Sequence, residues 1–425
     1  MQGRRAKTAV EQHPVGIRHI DLTHIQRASS EMARGINRDI VLELIRENQP
    51  ISRADLARRS GLQRSTVSQI VEQLIRERWV REGSVTISAR GRRPTMVGLN
   101  EELGVIAVDL RPNMATIAVV DLNGRLLSRS QVPISSDPAA STRLINEAAH
   151  RVRNALPRFS IEGIGISLPG RVDPATQRLI FAPNLRWPDF DLKGAIESKM
   201  RLPVKMENAA NACLIAELTF GRLDGIRNII LVTISEGVGT GIFANGHLIT
   251  GDGGRAGEFG HAPIDPSGPQ CACGRRGCWE VFASCRAALR YYRELQPKAR
   301  DITFHDLLRL ADDGNPQAAT ALEKQAKQIG RGFGLMIAGL SPSMILVAGE
   351  ITGAWPRFGP IIEREAAGFT VAGPPPKILP AHEGEIARLR GAAALVFQRH
   401  WPDRDSDDLS STALQKKVRK SSRKR

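Results

Sequence analysis

The sequence predicts an α/β protein whose two-lobed main domain follows a winged helix-turn-helix domain. Beyond Gly104, helical stretches such as residues 142–156 alternate with apolar strands such as residues 161–168, which is typical of an α/β chain. A further apolar strand at residues 229–234 runs into a glycine-rich stretch, and this indicates a second hairpin and hence a second lobe. The residues before Gly104 instead predict three short helices and two strands.

Length and composition exclude several classes of protein. The chain has 425 residues, of which 41% are hydrophobic, so it is long enough for two or three domains and too apolar for wholesale disorder. Its apolar runs fall far short of the roughly 20 residues of a membrane helix, and no apolar segment follows the N-terminal arginines to make a secretory signal. We therefore predict a cytoplasmic protein without a membrane partner.

The positive charge is concentrated at the two ends of the chain. The formal net charge is +16, of which residues 1–100 carry +8 and residues 416–425 carry +7. Such asymmetry is expected where one end meets a polyanion, although solubility alone can explain the C-terminal lysines. We predict a basic tail over residues 1–34, a winged helix-turn-helix domain over 35–98, a two-lobed domain over 99–401, and a disordered basic tail over 402–425.

Three helices are predicted between Ile36 and Trp79. Asn37 is expected to cap the first helix, and Ser52 and Gly61 are expected to begin and end the second. Gln63 precedes the third helix where a serine or threonine cap is usual, which predicts a weaker start. The inward positions are expected to be Ile40, Val41, Leu44 and Ile45 in the first helix, Leu56 and Ala57 in the second, and Val67, Ile70, Val71 and Leu74 in the third.

The third helix has a small polar face near its N-terminus. Helix, glycine turn and polar helix in this order are typical of a DNA-binding module, because a major groove admits one helix. The alternative is a three-helix packing module that does not bind DNA. We expect DNA contacts from five residues of this helix: Arg64, Ser65, Thr66, Ser68 and Gln69.

A two-stranded wing is predicted after the third helix. Residues 81–97 include alternating β-branched side chains around a Gly-Arg-Arg-Pro sequence. Arg92 and Arg93 at the tip of such a wing suit a narrow minor groove, where the negative potential is strongest. We therefore add Arg92 and Arg93 to the expected DNA contacts.

A cysteine cluster predicts a zinc site. Cys271, Cys273 and Cys278 follow His261 closely, and three thiolates with one imidazole make a closed tetrahedral set. Such a site leaves no open position on the metal, so we expect one structural Zn²⁺ per chain. Three unrelated buried thiols are the alternative. The remaining two of the five cysteines, Cys213 and Cys285, are expected to be ordinary buried residues.

These motifs together resemble those of the ROK family, which contains repressors and sugar kinases. The resemblance covers residues 36–400 and includes the wing sequence. It implies an actin-like ATPase, or sugar-kinase, fold with two lobes around a cleft, and an assembly into dimers or tetramers. The sequences that carry it are Glu258-Phe259-Gly260-His261, the run from Cys271 through Glu280, and Gly237-Val238-Gly239-Thr240-Gly241.

The resemblance also implies a sugar site. Asn208 matches a family asparagine that binds a sugar hydroxyl, and Glu258 and Glu280 match two acids that accept hydroxyl hydrogen bonds. His261 matches a residue that ligates zinc with one nitrogen and faces the sugar with the other. Asn184 is expected to add a further polar contact. The alternative for the two glutamates is simple surface solvation.

Two catalytic elements of the family's kinases are altered in this chain. The kinases place an aspartate directly after Glu-Asn, whereas here Ala209 follows Asn208, and a methyl group cannot accept a proton. Their first phosphate loop is an aspartate followed by glycines and threonine, whereas here Arg111 and Pro112 follow Asp109 and Leu110. Proline has no N–H to offer a phosphate. We therefore expect no catalytic residue.

The sequence accordingly predicts a sugar-responsive transcriptional regulator, as a repressor of genes for carbohydrate metabolism or uptake. Its expected partners are double-stranded operator DNA and a sugar effector. Two alternatives stay open: a DNA-binding protein with residual ATP-dependent phosphotransfer to a sugar, and a regulator controlled by a protein partner, with a vestigial sugar cleft.

Overall fold

The computed structural model describes residues 30–83, 95–221, 223, 225–299, 301–371, 373–382, 384 and 386–397. The predicted DNA contacts Arg92 and Arg93 lie outside the described residues, as do the C-terminal basic tail and all but the end of the N-terminal one. The domain boundaries stay predictions.

The N-terminal module consists of three helices and a three-stranded sheet. Strand β3 pairs antiparallel with both β1 and β2, so the sheet order is β1-β3-β2. The elements are α1 (Ser30–Asn48), β1 (Ile51–Ser52), α2 (Arg53–Ser60), α3 (Arg64–Arg76), β2 (Val80–Gly83) and β3 (Met96–Leu99).

The predicted helix signals of α2 and α3 are confirmed. The Ser52 side chain accepts a hydrogen bond from the Asp55 N–H at 3.1 Å, and Gly61 ends α2 in the left-handed region at φ 71°. Gln63 makes no capping hydrogen bond, as expected. All four predicted inward residues of α3 are buried.

The prediction for α1 was partly wrong. Asn37 lies inside α1, not at its start, because the helix begins seven residues earlier, at Ser30. Ile40 is 39% exposed, whereas Leu42 is buried. The inward face is centred between Val41 and Leu42, and at about 100° per residue Ile40 falls outside it.

The first lobe of the main domain is a five-stranded sheet with helices on both faces. Strands β10, β7 and β4 run parallel, and β4, β5 and β6 are antiparallel neighbours, in the order β10-β7-β4-β5-β6. We call this lobe 1; α4 and α5 cover one face and α12 the other. Its elements are β4 (Leu103–Leu110), β5 (Met114–Asp121), β6 (Leu126–Pro133), α4 (Pro138–Asn154), β7 (Ser160–Leu168), the small hairpin β8 (Arg171–Val172) and β9 (Leu179–Phe181), α5 (Leu192–Met200), β10 (Val204–Asn208), α6 (Ala209–Phe220) and α12 (Ala387–Phe397).

Lobe 2 repeats the same strand order, which confirms the predicted second hairpin. Its sheet reads β13-β12-β11-β14-β15, with antiparallel pairing from β11 to β13 and parallel pairing from β11 to β15. Its elements are β11 (Ile229–Ile234), β12 (Val238–Ala244), β13 (His247–Leu248), α7 (Glu280–Ala283), α8 (Cys285–Leu295), α9 (Phe304–Asp312), α10 (Pro316–Leu340), β14 (Met344–Ala348), α11 (Trp355–Ala367) and β15 (Lys377–Pro380).

The winged module packs on lobe 1 through a continuous apolar core. Phe397 at the end of α12 contacts Trp79 and Phe220 edge-on, with ring centroids 5.8 Å and 6.4 Å away. The Arg46 guanidinium of α1 lies 5.9 Å from the centre of the Phe220 ring. Because Phe220 ends α6 and Asn208 caps its start, one buried helix joins the cleft to the winged module.

Each helix of the described ranges is too short or too polar to cross a membrane.

Candidate functional site

A cleft opens between the two lobes and, together with the solvent space at its mouth, measures about 1000 Å³. Its walls come from the junction of β10 with α6, the turn between β11 and β12, the short 3-10 helix Glu258–His261, and the start of α7. All five residues that the sequence analysis assigned to a sugar site line this cleft: Asn184, Asn208, Glu258, His261 and Glu280.

Asn208 is held rigidly by two hydrogen bonds within lobe 1. Its Oδ1 accepts from the Ala210 N–H at 2.8 Å, which caps α6, and its Nδ2 donates to the Gly170 carbonyl at 2.7 Å. A primary amide has two N–H groups and two lone pairs on oxygen, so one donor and one acceptor position remain. A hydroxyl in the cleft can use either of them.

Glu280 is the more deeply buried of the two carboxylates among these five residues. It is 7% exposed, and its Oε2 accepts a hydrogen bond from the Val238 N–H at 3.0 Å. Its Oε1 lies 3.6 Å from the Cys271 sulfur. The side chain therefore lies between the cleft and the cysteine cluster, in an orientation set by the Val238 N–H.

The cysteine cluster brings together four atoms of kinds that bind metals. One ligand atom from each of His261, Cys271, Cys273 and Cys278 lies within 4.8 Å of the others. Gly274 and Gly277 have φ values of 90° and 66°, which a residue with a Cβ rarely adopts, and they form the predicted tight turn. Three sulfurs and one imidazole nitrogen are the donor set of structural zinc sites, so the residues fit this metal. Cys213 and Cys285 lie apart as free, buried cysteines, as predicted.

His261 lies between the metal-binding atoms and the cleft. Its Nδ1 is 3.5 Å from the Cys271 sulfur, whereas its Nε2 points to Glu258 Oε2 at 3.9 Å. A metal on Nδ1 fixes the proton on Nε2 and aims that N–H into the cleft. Glu258 is about half exposed and lies at the open edge of the site.

Asn184 belongs to a contact across the mouth of the cleft. Its Oδ1 accepts a hydrogen bond at 3.0 Å from Arg286 Nη1, which comes from α8 of lobe 2. Sequence reasoning missed Arg286, because no local motif marks it and 102 positions separate the two residues.

The part of the cleft around Ala209 and Pro112 is lined by different kinds of side chain from those of the five polar residues above. Ala209 is the first residue of α6 and is 5% exposed, and Pro112 lines the cleft nearby. Arg111, from the segment after β4, contacts Glu350 and Asp109 there. Glu207 precedes Asn208, and burial raises the pKa of its carboxyl, although the Asn208 N–H and the Asn211 amide donate to it at 2.7 Å and 3.2 Å.

The predicted DNA-contacting face of α3 is accessible. Arg64, Ser65 and Gln69 are exposed, whereas Thr66 and Ser68 are half-buried. Arg53 of α2 forms ion pairs with Glu72 of α3 at 3.2 Å and with Glu82 of β2 at 2.8 Å. These pairs tie α2, α3 and the wing strand together beside that face.

Comparison with protein families gives two matches. The ROK family matches residues 105–399. A winged helix-turn-helix DNA-binding family matches residues 38–81.

Individual relatives include both regulators and kinases. The xylose repressor of Bacillus spizizenii is 33% identical over 382 residues, which cover 88% of this chain and 98% of that protein. A crystal structure of a ROK family transcriptional regulator, a homologue of the Escherichia coli MLC protein, is 28% identical with a TM-score of 0.71 and covers 86% of this chain and 96% of that one. The ROK family glucokinase of Streptomyces griseus, in complex with glucose and AMPPNP, is 30% identical with a TM-score of 0.65 and covers 69% and 99% of the two chains.

Proposed function

The chain belongs to the ROK family, and from this premise we propose that it is a sugar-responsive repressor that binds operator DNA through its winged module. The observation that carries the proposal is the exposed polar N-terminal face of α3, on a module that shares a core with a cleft domain. The xylose repressor, similar over nearly its whole length, supports the same assignment. In this account the protein acts in the cytoplasm, as a dimer or tetramer.

In the proposed sugar site, the polar groups come from both lobes. Asn208 and Asn184 belong to lobe 1, whereas Glu258, His261 and Glu280 belong to lobe 2. Carboxylates and amides supply the acceptors and donors that a polyol needs. A sugar that touches both sides favours one opening of the cleft over others, which is the condition for a ligand to shift a conformational equilibrium.

We further propose that His261, Cys271, Cys273 and Cys278 hold one structural Zn²⁺. The metal would fix the orientation of the His261 ring and of the loop that carries the three cysteines. Glu280 begins α7 two residues after Cys278, so the same loop determines where its carboxylate lies.

For the DNA site, we expect Arg64→Ala or Gln69→Ala to weaken operator binding by about 1–3 kcal/mol and to relax specificity at one base pair, because each removes side-chain contacts to a base edge. The measurement is fluorescence anisotropy with an operator selected by the full chain from random duplexes. Arg293→Ala, an exposed arginine on α8, is the matched control. If neither α3 substitution changed operator affinity or specificity, this result would contradict the assignment.

A sugar kinase is the second candidate, favoured by the similarity to the glucokinase. We expect no ATP turnover above background with D-glucose, D-xylose or N-acetyl-D-glucosamine, because Ala209 cannot act as a base and the Arg111-Pro112 segment lacks a phosphate cradle. Ala209→Asp should not restore activity for the second reason. ATP consumption that depends on a sugar and is lost in Glu258→Ala would favour the kinase.

A further inference from the structure

Five charged residues form one cluster where the two lobes meet beside the cleft. We call it the interlobe cluster: Asp109, Arg111, Glu236, Glu350 and Arg388. Asp109 lies in β4, Arg111 directly follows this strand, and Arg388 lies in α12, so these three belong to lobe 1. Glu236 lies in the turn between β11 and β12, and Glu350 follows β14, so these two belong to lobe 2.

Asp109 is the buried anchor of the cluster. Its side chain is 6% exposed and accepts a hydrogen bond from Arg111 Nε at 2.9 Å. Its other oxygen faces Arg388 Nη1 at 3.6 Å, within ion-pair distance but beyond a normal hydrogen bond. One carboxylate of lobe 1 therefore orients two guanidinium groups of the same lobe.

Both guanidinium groups then reach across to lobe 2. Arg111 Nη1 lies 2.5 Å from Glu350 Oε1 and 3.8 Å from Glu236 Oε1. Arg388 Nη2 donates to the Ser235 hydroxyl at 2.6 Å. The side chains of Arg111 and Glu350 are only 22% and 14% exposed, so salt screens this pair less than it would a surface pair.

Opposite charges within the cluster stabilise the charged forms of Arg111 and Glu236 against the effect of burial. Burial alone would lower the pKa of Arg111, but Asp109, Glu350 and Glu236 outweigh it and raise that pKa further above its usual range. Burial would raise the pKa of Glu236, but Arg388 and Arg111 hold it below its usual range. Arg111 and Glu236 are therefore both held in their charged forms by the residues around them.

We propose that the interlobe cluster is a latch that holds the cleft at its present opening without a nucleotide. Arg111 stands in the segment that corresponds, by the resemblance above, to the first phosphate loop of the family's kinases. Three carboxylates against two guanidinium groups leave no excess positive charge, so the cluster does not suit a phosphate group. Its cross-lobe contacts instead give the two lobes a direct attachment.

The latch has a consequence for ligand affinity that rests on the proposed function. The sugar-facing residues come from both lobes, and the closure that a sugar drives starts from the latched spacing, so lobes that separate further bring all of these residues to the sugar less often. When the latched arrangement falls to between about a third and a tenth of the molecules, the apparent affinity falls about three- to tenfold.

The test is Glu350→Gln in the full chain, which removes one charge and keeps the side-chain volume. Spin labels on a genetically encoded ketone amino acid that replaces Lys199 of lobe 1 and Lys298 of lobe 2, which spares the cysteines and the other lysines, report the interlobe distance by pulsed electron paramagnetic resonance. We expect a longer and broader distance distribution in ligand-free Glu350→Gln than in the wild type. D-xylose affinity, measured by calorimetry, should fall about three- to tenfold.

Asp189→Asn is the control, because it removes the exposed Arg178–Asp189 ion pair inside lobe 1, and its distances should match the wild type. If Glu350→Gln does not fold, Arg111→Lys carries the test, because lysine keeps the charge but lacks the fork that reaches two lobes. Unchanged distances would overturn the latch. Changed distances without D-xylose binding would leave the latch standing and count against this sugar, not against the cluster.

Discussion

Replacing Cys273 by serine should remove most of the bound zinc and weaken sugar binding by about 10–100-fold. Cys273 is the least buried of the three thiols in the cluster, so its loss disturbs packing least. Without the metal, neither the His261 ring nor the Cys271 loop is fixed, and Cys271 is the neighbour of Glu280. We therefore expect sugar binding to weaken because His261 and Glu280 are less well positioned, and not because Cys273 itself contacts the sugar.

The measurement combines zinc content, X-ray absorption and sugar affinity. Wild-type protein should contain one zinc per chain, with Zn–S distances of about 2.3 Å and a Zn–N distance of about 2.0–2.1 Å. Cys213→Ala is the control, because Cys213 is buried outside the cluster and its loss should leave the zinc content unchanged. Full sugar affinity in zinc-free protein would refute the coupling between the metal centre and the sugar site.

Glu280→Gln should weaken sugar binding by about 1.5–3 kcal/mol, roughly 10–150-fold, because the amide oxygen stays on the Val238 N–H and an NH2 group, which cannot accept, replaces the charged acceptor that faces the sugar. Glutamine keeps the volume of the side chain, and its oxygen can still accept from the Val238 N–H. The fold should therefore survive, which Glu280→Ala would not ensure, since alanine leaves that buried N–H without its acceptor.

Calorimetric titration against D-xylose, D-glucose and N-acetyl-D-glucosamine measures this effect. Glu323→Gln, at an exposed position of α10, is the matched control and should bind like the wild type. Wild-type affinity in Glu280→Gln would place the sugar elsewhere in the molecule and remove the central residue of the proposed site.

Local patterns account for what the sequence predicted of the fold. The apolar periodicity of α3 and the strands of both hairpins extend over consecutive residues, and the structure agrees with each. The start of α1 was missed because asparagine is acceptable both at a helix cap and inside a helix, so Asn37 by itself does not mark a boundary.

In the candidate site, too, residues that lie close together in the sequence were predicted, whereas contacts between distant residues were not. Three of the metal-binding residues fall within eight positions, and their spacing alone identified them. The Arg111–Glu350 contact spans 239 positions and the Arg388–Ser235 contact spans 153, so no spacing rule relates them. The sequence marked Arg111 only as a departure from a phosphate loop, because its partners are defined by how the two lobes meet.

The proposed sugar site and the winged module are physically connected. The helix α6 starts at Asn208 in the cleft and ends at Phe220, which packs against Arg46 of α1 and Phe397 of α12. A shift of the lobes on sugar binding would therefore move a residue that supports the DNA-binding module. In a dimer that reads two half-sites, a small change in their spacing or tilt spoils simultaneous docking.

The most direct test of this account is to titrate sugar in the presence and in the absence of operator DNA. We predict that the sugar weakens operator binding by about 5–150-fold, and that operator weakens sugar binding by the same factor, because coupling between two binding sites is reciprocal. Glu280→Gln should need correspondingly more sugar to release the operator. Identical sugar affinities with and without operator would mean that the two sites are uncoupled, and the protein would then not be a sugar sensor even if both sites bind their ligands.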